Sequence, residues 1–401
     1  MNPHPHRRAF LQASAAGLTA LGGIPLRAAG PNDRIGVGLI GVGGRGSDHL
    51  ADLVRLATDK NVAIVAVCDV WRKASAAAAA HVEKTLGKAP KTFTRYADLL
   101  QHPGVDAVVI ATPDFSHGTL LNAALLANKD VYVEKPMTID LASANSALDL
   151  ARSRDRIVQA GTQRRSDGHF LAAAHEIGRG GLGTINRVTA AVNFNHPRWR
   201  RPSVADCTAA DVDWEAFLLD RPKRPFNPHL LREWQLYRFT SNGLPGLWMT
   251  HYSDALHMLT GATFPARAVA SGGIYVWKDG REHTDTFHAV LEYPGFLFDW
   301  GMSLGNDAGN YFTVHGTKGT LDVEKGTVTP QGPRAIATRL KDEPTTSHMT
   351  NWLDCIRTRQ RPRADIAYGH QHVVATVMAA QALETGRRQT YDPQRRAIVA
   401  G

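Results

Sequence analysis

Apolar residues in the first part of the chain occur in short unbroken runs, and each run is followed by a stretch with helical periodicity. The runs cover residues 34–40, 62–67, 106–113 and 130–133. Unbroken runs of this length are typical of strands that are buried on both faces of a parallel sheet. Because helices alternate with these strands, the pattern predicts a doubly wound α/β domain over residues 31–160.

The pattern changes after residue 160, where alternation of apolar and polar positions replaces the unbroken runs. Phe287, Ala289, Leu291 and Tyr293 fall on one face of a predicted strand at 285–293. We therefore expect an α+β domain over residues 161–401, with a large, mostly antiparallel sheet that packs one face on its core. The other predicted strands cover residues 187–194, 267–276, 296–304 and 311–323, the last with a turn at 316–319.

The first 30 residues have the pattern of a targeting signal. Arg7 and Arg8 precede Phe10 and Leu11, and a mildly apolar stretch covers residues 13–24. This is the twin-arginine pattern, which predicts a signal peptide over residues 1–30 and export to the periplasm. A disordered basic tail is the alternative. Because the apolar stretch is too short to cross a bilayer, no stable membrane insertion is expected.

Composition and charge change this picture little. The chain has 401 residues, of which 43% are hydrophobic, which suits two globular domains. Its formal net charge is +9, but Lys and Arg are spread along the chain, so we expect an ordinary basic surface and no nucleic-acid partner. Cys68, Cys207 and Cys355 are too far apart to suggest a disulfide framework or a Cys-based metal site.

A glycine-rich turn, Gly-Val-Gly-Gly-Arg-Gly at 41–46, follows the first predicted strand, and a helix is expected from residue 47. In a dinucleotide site Gly41 makes the tight turn, Gly43 lets the backbone approach the pyrophosphate, and Gly46 lets the helix pack close to the strand. The second strand ends at Asp69, which can bind the adenine-ribose hydroxyls and would repel a 2′-phosphate. We therefore expect NAD, with NADP as the alternative because Arg72 lies nearby.

Two later strand ends also carry polar motifs. Ala-Thr-Pro-Asp-Phe-Ser-His stands at 111–117, and Val-Glu-Lys-Pro stands at 133–136. Ligands of open α/β sheets bind beyond the carboxyl ends of the strands, which places Lys135 for chemistry. A surface lysine with a salt-bridge partner is the structural alternative. Between the two motifs, Asn128 is expected to end a helix in the left-handed conformation.

These motifs, together with Ala-Asn-Lys at 127–129, Gly-Thr-Gln-Arg-Arg at 161–165 and the segment 348–356, resemble the Gfo/Idh/MocA oxidoreductase family. The resemblance runs from about residue 34 to about residue 393. It implies a Rossmann domain that binds NAD or NADP, and oxidation or reduction of a hydroxyl or ketone on sugars, cyclitols or related polyols. It also implies a homodimer or homotetramer that forms through the open face of the second sheet.

The resemblance assigns a set of residues to the cofactor, and one of them has a second role. Lys135 would contact the nicotinamide ribose and would also polarise or deprotonate the reacting hydroxyl. The other residues assigned to the cofactor are Gly41, Gly43, Arg45, Gly46, Asp69, Thr112, Pro113, His117, Glu134 and Gln163.

The family pattern His-x-x-Asp-x-x-x-x-Leu-x-Gly begins at His251. On a helix, His251 and Asp254 would share a face, so that His251 acts as general base or acid while Asp254 orients it or binds a substrate hydroxyl. Many relatives have an aspartate four residues before this histidine, where this chain has Leu247. Tyr237 is a candidate replacement acid or base. Because His257 would point off the shared face, no metal site is expected.

Two loops rich in tryptophan and arginine, at 195–201 and 231–234, are candidates for substrate binding. Trp199 and Trp234 could cover the apolar face of a sugar ring, while Arg164 and Asp254 bind its hydroxyls. The alternative is that both tryptophans anchor the loops in the core.

Three functions remain open from the sequence. The first is a dehydrogenase that transfers a hydride between a secondary hydroxyl and the cofactor. The second is a redox-neutral, glycoside-cleaving or two-substrate oxidoreductase with tightly bound cofactor, which is favoured by export and by Leu247. The third is a non-catalytic dinucleotide-binding protein, against which the presence of Lys135 argues.

Overall fold

The structure is a computed structural model that describes residues 34–401, so the predicted signal at 1–30 lies outside the described residues. Six parallel strands form the first sheet in the order β3-β2-β1-β4-β5-β6. This order confirms the predicted doubly wound sheet, with its crevice where the order reverses beside β1. The strands are β1 (Ile35–Ile40), β2 (Val62–Cys68), β3 (Lys91–Phe93), β4 (Ala107–Ile110), β5 (Asp130–Val133) and β6 (Val158–Ala160).

Helices cover the first sheet, and every residue of β1, β4 and β5 is therefore buried. The first helix begins at Gly44 rather than at residue 47, because Gly43 has an extended backbone that starts the helix earlier. Asn128 has a φ of 56°, as predicted for a residue that ends a helix. The helices are α1 (Gly44–Leu56), α2 (Arg72–Leu86), α3 (Tyr96–Leu100), α4 (His117–Leu126) and α5 (Leu141–Ser153).

The second sheet has ten strands in the order β14-β13-β12-β11-β7-β10-β9-β8-β15-β16. Within this part of the described chain only β7 and β10 pair in parallel, so the predicted mostly antiparallel sheet is confirmed. The predicted strand at 311–323 is a hairpin of two strands. The strands are β7 (Ile185–Asn193), β8 (Arg267–Gly273), β9 (Thr286–Tyr293), β10 (Phe296–Ser303), β11 (Tyr311–Gly316), β12 (Gly319–Asp322), β13 (Thr327–Pro330), β14 (Thr338–Arg339), β15 (Gln389–Asp392) and β16 (Ala397–Ala400).

Helices pack on one face of the second sheet, while the other face is open. Val269, Leu297 and Tyr311 on the open face are 43%, 46% and 48% exposed. The helix predicted at the family pattern is present over Thr250–Thr260. The helices are α6 (Gly168–Gly178), α7 (Trp214–Leu218), α8 (Pro228–Arg232), α9 (Thr250–Thr260), α10 (His348–Thr358) and α11 (Ile366–Thr385).

The last two helices bring the chain back to the first domain. Trp352 and Ile356 of α10 are buried in the core formed with β1 and α1. Along α11, Val373 packs with the core of the first sheet and Met378 with the core of the second. Residues 348–385 therefore join the two domains, although the sequence placed them in the second.

Three features are absent from residues 34–401. No helix there combines the length and the apolar composition that a membrane span requires. No group of three or more His, Cys, Asp or Glu side chains there is arranged to hold a metal ion. No disulfide bond is present there either, because Cys68, Cys207 and Cys355 are buried free thiols.

Candidate active site

A cleft of about 1390 Å³ lies beyond the carboxyl ends of the central strands of the first sheet. The glycine turn lines one part of it, and Trp199, Trp234 and His251 from the second domain line another. Lys135 also lines this cleft, at the end of β5. Because ligands of doubly wound sheets bind at this edge, the cleft is the candidate active site.

The glycine turn meets the steric requirements of a dinucleotide site. Gly41 has a φ of +83°, which glycine adopts without strain. A Cβ on Gly46 would lie 2.0 Å from the carbonyl oxygen of Gly41, so only glycine lets α1 approach β1 this closely. A Cβ on Gly43 would have no atom within 4 Å, which leaves the backbone open to the cleft. The start of α1 therefore lines the cleft with the amides of its first turn, which have no partner within the helix.

Asp69 lines the cleft at the end of β2 and also holds the glycine turn in place. Its Oδ2 accepts a hydrogen bond from the Val42 amide at 2.9 Å, and its Oδ1 accepts one from the Trp71 amide at 2.9 Å. Burial raises the pKa of Asp69, although these two hydrogen bonds oppose the rise. The Gly43 amide also donates to this carboxylate, which still leaves an acceptor site for a ribose hydroxyl.

The Glu134 carboxylate is where several predicted cofactor residues meet. It accepts hydrogen bonds from His49 Nε2 at 2.7 Å, Arg45 Nε at 3.2 Å and Gln163 Nε2 at 3.1 Å. Burial alone would raise the pKa of Glu134, but the hydrogen bond from His49 and the charges of His49, Arg45 and Lys135 outweigh it and lower the pKa well below its usual range. Glu134 is therefore ionised and fixed. His49 was missed by the sequence analysis, although it lies one helical turn after Arg45 on α1.

Lys135 is held by the backbone of the second domain. Its Nζ donates a hydrogen bond to the carbonyl oxygen of Leu247 at 2.9 Å, and the peptide bond that follows it, to Pro136, is cis. Leu247 belongs to the π-helical turn Pro245–Met249 that leads into α9. A backbone carbonyl thus contacts the lysine at the position where the resemblance had implied an aspartate. Lys135 is therefore half-buried and forms no salt bridge within residues 34–401, which disfavours the alternative of a surface lysine with a salt-bridge partner.

His251 lies in the first turn of α9 and lines the same cleft. Burial, and then the positive charges of Lys135 and Arg164, lower its pKa well below 6.5. The imidazole is therefore neutral at pH 7 and can accept a proton. The ring centroid of Trp248 lies 6.3 Å from that of His251.

The structure places Asp254 away from the cleft, which contradicts the predicted contact with substrate. Asp254 is fully buried, and its carboxylate binds Arg165 Nε at 2.8 Å and 2.9 Å. His372 Nδ1 lies 3.8 Å from the same carboxylate, while His372 Nε2 accepts a hydrogen bond from the Met137 amide. Asp254 therefore supports the backbone that follows Lys135 instead of binding a sugar hydroxyl.

Two other predicted residues also lie outside the lining of the cleft. The Tyr237 hydroxyl accepts a hydrogen bond from Arg200 at 3.4 Å within a loop cluster, so the structure does not support its role as replacement acid or base. The Arg164 guanidinium packs on the Tyr252 ring at 4.4 Å and lies 3.5 Å from Glu324, so a direct contact with substrate is not supported either. The charge of Arg164 nevertheless acts on His251.

Thr112, Pro113 and His117 line the cleft at the end of β4, as the resemblance implied. The two ring nitrogens of His117 lie 2.8 Å from the Thr112 carbonyl oxygen and 2.7 Å from the Pro136 carbonyl oxygen. Burial lowers the pKa of His117. Because a carbonyl oxygen faces each ring nitrogen, the single N–H of the neutral ring donates within the protein, and His117 lies between the loop at 112–116 and the loop that carries Lys135.

Asp114 is a second residue that the sequence analysis missed. It is 1% exposed, lines the cleft, and accepts a hydrogen bond from the Ser241 hydroxyl at 3.1 Å. Its other oxygen, Oδ1, has no hydrogen-bond partner among the described residues. Burial raises the pKa of Asp114 to about 7, although the charge of Lys135 opposes the rise. The sequence offered no signal beyond the motif at 111–117, because the burial comes from the second domain.

Trp199 and Trp234 both line the cleft, so the structure places them where substrate-binding residues are expected. Trp199 has a φ of 69°, which is uncommon for a bulky residue and is often found at functional sites. Its side chain packs at the edge of the core of the second sheet and is partly exposed. For Trp199 the two alternatives therefore both apply, since the ring anchors its loop and faces the cleft.

A nicotinamide dinucleotide fits the residues present. The open space at Gly43 and the free amides of α1 suit a pyrophosphate, and Asp69 stands where the adenine ribose would lie. The same cleft continues to Lys135 and His251, so both ends of such a ligand have lining residues of suitable chemistry. The cleft is also large enough for a second small molecule beside a dinucleotide.

Comparison with known proteins gives consistent matches along the chain. Residues 35–162 match the model of an oxidoreductase family with an NAD-binding Rossmann fold, and residues 219–391 match the C-terminal α/β domain of the same family. An Escherichia coli protein named uncharacterized oxidoreductase YdgJ is 28% identical over 295 residues, which cover 72% of this chain and 71% of that protein.

Two further matches agree with these. An inositol 2-dehydrogenase of Leifsonia xyli is 35% identical over 156 residues, which cover 39% of this chain and only 43% of that enzyme. The crystal structure of an NAD-binding protein from Listeria innocua superposes with a TM-score of 0.67 at 21% identity, covering 89% of this chain and 97% of that one. This last likeness concerns the fold alone.

Proposed function

The chain belongs to the Gfo/Idh/MocA family of NAD(P)-dependent oxidoreductases, and on that basis we propose that it oxidises or reduces a secondary hydroxyl of a sugar, cyclitol or glycoside. The observation that carries this proposal is the position of Lys135. Its Nζ, fixed at 2.9 Å from the Leu247 carbonyl oxygen, lies in the same cleft as the glycine turn and His251. A non-catalytic dinucleotide-binding protein would not require a lysine held in this way.

In the proposed mechanism, Lys135 and His251 both act on the reacting hydroxyl, each in a different role. When bound, the nicotinamide ring would supply the carbon that accepts the hydride. The Lys135 ammonium stabilises the negative charge that develops on the substrate oxygen as its proton leaves. His251, which is neutral because its pKa is lowered by burial and by the charge of Lys135, accepts that proton. In the reverse direction, His251 returns the proton to the oxygen.

Asp114 makes the field at Lys135 depend on pH. Its carboxyl group has a pKa of about 7 and interacts with the charge of Lys135. Above pH 7, the ionised Asp114 would weaken the effect of the lysine charge on the substrate oxygen. We therefore expect the rate of the chemical step to vary between about pH 6 and pH 8 through Asp114, while His251 stays neutral over this range because its pKa is lowered well below 6.5.

The preferred cofactor in this proposal is NAD, and we propose that it is tightly bound. The Asp69 carboxylate at the end of β2 would repel a 2′-phosphate, which disfavours NADP. Tight binding follows from the predicted export to the periplasm, because free nicotinamide cofactor is not expected there. The segment that carries the export prediction, residues 1–30, lies outside the described residues, so the localisation remains a proposal.

A second candidate function is a redox-neutral reaction, in which the cofactor is reduced and then reoxidised within one cycle. The observation that favours it is the contact between Lys135 and a backbone carbonyl at Leu247, where many relatives have a titratable aspartate. A carbonyl cannot exchange a proton with the lysine, so the site departs from the Lys/Asp/His set of ordinary polyol dehydrogenases.

We also propose a homodimer or homotetramer that forms through the open face of the second sheet. Val269, Leu297 and Tyr311 give this face exposed apolar side chains, which suit an interface between subunits. The solution mass from light scattering tests this directly. A dimer or tetramer that dissociates in a Leu297→Lys variant would support the proposal, and a monomeric wild-type protein would contradict it.

One experiment separates the candidate functions. The purified protein is denatured, and the released nucleotide is identified; native protein is then incubated with neutral sugars, cyclitols, sugar acids and aryl glycosides. Net reduction of added NAD would support the dehydrogenase. Stoichiometric bound cofactor with release of the aglycone and no net reduction would support the redox-neutral enzyme. A protein that neither contains nor binds a nicotinamide dinucleotide would contradict both.

A further inference from the structure

We propose that the substrate carries a carboxylate group and that Arg198 binds it, so that sugar acids are preferred over neutral sugars and cyclitols. This inference rests on the proposed function, because it names the substrate class of the same cleft. It begins from a positive charge in the wall of the cleft that the described part of the chain does not neutralise.

Arg198 lines the cleft and is half-buried, yet no acidic side chain among residues 34–401 forms a salt bridge with it. Its Nε is also buried without a hydrogen-bond partner in that part of the chain. Burial lowers the pKa of Arg198, and no neighbouring acid in the described chain opposes this effect. A guanidinium buried in this way costs free energy, which an anionic ligand would recover.

Aromatic rings hold the Arg198 guanidinium in place. Its Cζ lies 4.6 Å from the centroid of the Phe194 ring, 5.1 Å from Trp248 and 5.9 Å from Trp199. Stacking on aromatic rings leaves the edge of the guanidinium, with its N–H donors, free to bind a ligand. The three rings therefore orient the guanidinium without neutralising it.

Neighbouring arginines in the same region show the contrast. Arg200 pairs with Glu233 at 2.5 Å, and Arg232 pairs with Asp206 at 2.7 Å. Both of these side chains have their charge balanced within the protein, and both serve to fix the loops. Arg198 has no such partner among the described residues, so its charge is available to a ligand.

The position of Arg198 places a bound carboxylate on the substrate side of the cleft. Trp248, on which Arg198 stacks, directly follows Leu247, whose carbonyl oxygen holds Lys135. The Trp248 ring also lies 6.3 Å from the His251 ring. One indole ring thus separates the guanidinium from the residues that handle the reacting hydroxyl. A sugar acid could place its hydroxyl at Lys135 and His251 and its carboxylate at Arg198.

A carboxylate suits this site better than a phosphate does. A single guanidinium balances one negative charge, and its planar fork matches the two oxygens of a carboxylate. A phosphate monoester carries up to two charges at neutral pH and would require a second cation. The Lys135 ammonium is already placed at the reacting oxygen, so it does not supply that cation. Arg201 also lines the cleft, and the comparison with glucose 6-phosphate below therefore decides between the two anions.

The test measures the binding of named probes to the full-length protein saturated with NADH. D-glucuronate and D-galacturonate are compared with D-glucose, myo-inositol and D-glucose 6-phosphate by calorimetric titration, and turnover is measured with NAD. The variants are Arg198→Gln and Arg198→Lys. Arg55→Gln is the matched control, because Arg55 carries the same charge on the surface of α1, where it is 62% exposed.

We expect wild-type protein to bind a uronate at least about tenfold more tightly than the matching neutral sugar. Arg198→Gln should weaken uronate binding about 10- to 100-fold and leave the affinities for NADH and the neutral sugars within about twofold. The uronate affinity of Arg198→Lys should lie between those of the wild type and Arg198→Gln, because lysine keeps the charge but not the planar fork. Arg55→Gln should match the wild type.

Several results would overturn the inference while leaving the proposed function intact. One is equal or better binding of neutral sugars by the wild-type protein, a comparison that needs no variant and therefore holds even if Arg198→Gln fails to fold. Another is tighter binding of glucose 6-phosphate than of glucuronate. A third is an Arg198→Gln variant that loses affinity for NADH but not for uronates. If the wild-type protein bound no NADH at all, the proposed function itself would fail.

Discussion

Replacement of Gly43 by alanine tests the glycine turn, because it separates cofactor binding from folding. Gly43 has a φ of −84°, which alanine adopts readily, and its new Cβ would have no atom within 4 Å. The folded chain therefore has room for the methyl group. A pyrophosphate seated against the turn does not, because the methyl group would occupy the space that its oxygens need.

Gly46→Ala is the comparison that should damage the fold. The Cβ that this substitution adds would lie 2.0 Å from the Gly41 carbonyl oxygen, whereas ordinary contact needs about 3.5 Å. The start of α1 must therefore move away from the turn by more than about 1 Å, at a cost of roughly 1–3 kcal/mol. Gly43→Ala should leave the free energy of unfolding unchanged or raise it by up to about 1 kcal/mol.

The assay combines chemical denaturation, followed by circular dichroism, with titration of NADH, followed by nicotinamide fluorescence. Gly43→Ala should unfold at the wild-type midpoint or slightly above it and bind NADH at least about tenfold more weakly, a loss of about 1.4 kcal/mol. Gly46→Ala should show a lower midpoint as well as weak binding. If Gly43→Ala bound NADH with wild-type affinity, the pyrophosphate would not lie against this turn.

Three other changes have equally definite expectations. Asp254→Asn leaves Arg165 buried without its counter-charge, so it should lower the free energy of unfolding by about 3–5 kcal/mol, measured by denaturation at pH 7; an unchanged midpoint would contradict the pairing. Burial raises the pKa of Asp114 from 3.8 to about 7, so the folded protein loses stability as pH rises through this range. Asp114→Asn should therefore have a higher free energy of unfolding than the wild type at pH 8, by up to roughly 4 kcal/mol, but not at pH 4. Equal differences at both pH values would show that Asp114 does not titrate in this way. His251→Asn should lower turnover about 10²- to 10⁴-fold while NADH affinity, measured in the same samples, stays within about threefold; wild-type turnover would remove His251 from the mechanism.

The glycine turn and the sheet around it could be predicted because their determinants are local. The strand, the turn and the helix follow one another in about 20 residues, and Gly41 and Gly46 have the steric roles that the motif predicts. The position of Lys135 also followed from the sequence, because a residue directly after a strand of a parallel sheet lies at the binding edge. Here local pattern and tertiary structure agree.

Contacts between distant segments could not be predicted in the same way. Asp254 was expected to face the cleft with His251, since the two residues are one helical turn apart. However, Arg165, which precedes Asp254 by 89 residues, binds its carboxylate inside the protein. The apolar residues of α11 show no amphipathic period, because 372–379 is buried on all sides between the two cores, so the helix gave no clear signal.

The same limit applies to the electrostatics of the site. The raised pKa of Asp114 and the unpaired charge of Arg198 depend on which side chains surround them after folding. A sequence motif shows which residues are present. Whether a carboxyl group titrates near neutrality, or a guanidinium lacks an ion-pair partner, depends on the burial of that group and on the side chains around it. These properties could be read only from the folded chain.

Lys135 is proposed to act on a substrate hydroxyl in a cleft that holds a nicotinamide dinucleotide. The most direct test follows the near-ultraviolet absorbance of reduced nicotinamide in a single turnover of NAD-loaded protein, for the wild type and Lys135→Met, with the uronate or polyol that the wild type turns over. Lys135→Met should bind NADH within a few-fold of the wild type but reduce its cofactor about 10²- to 10⁴-fold more slowly. Reduction at the wild-type rate by the variant would show that Lys135 does not act on the reacting hydroxyl.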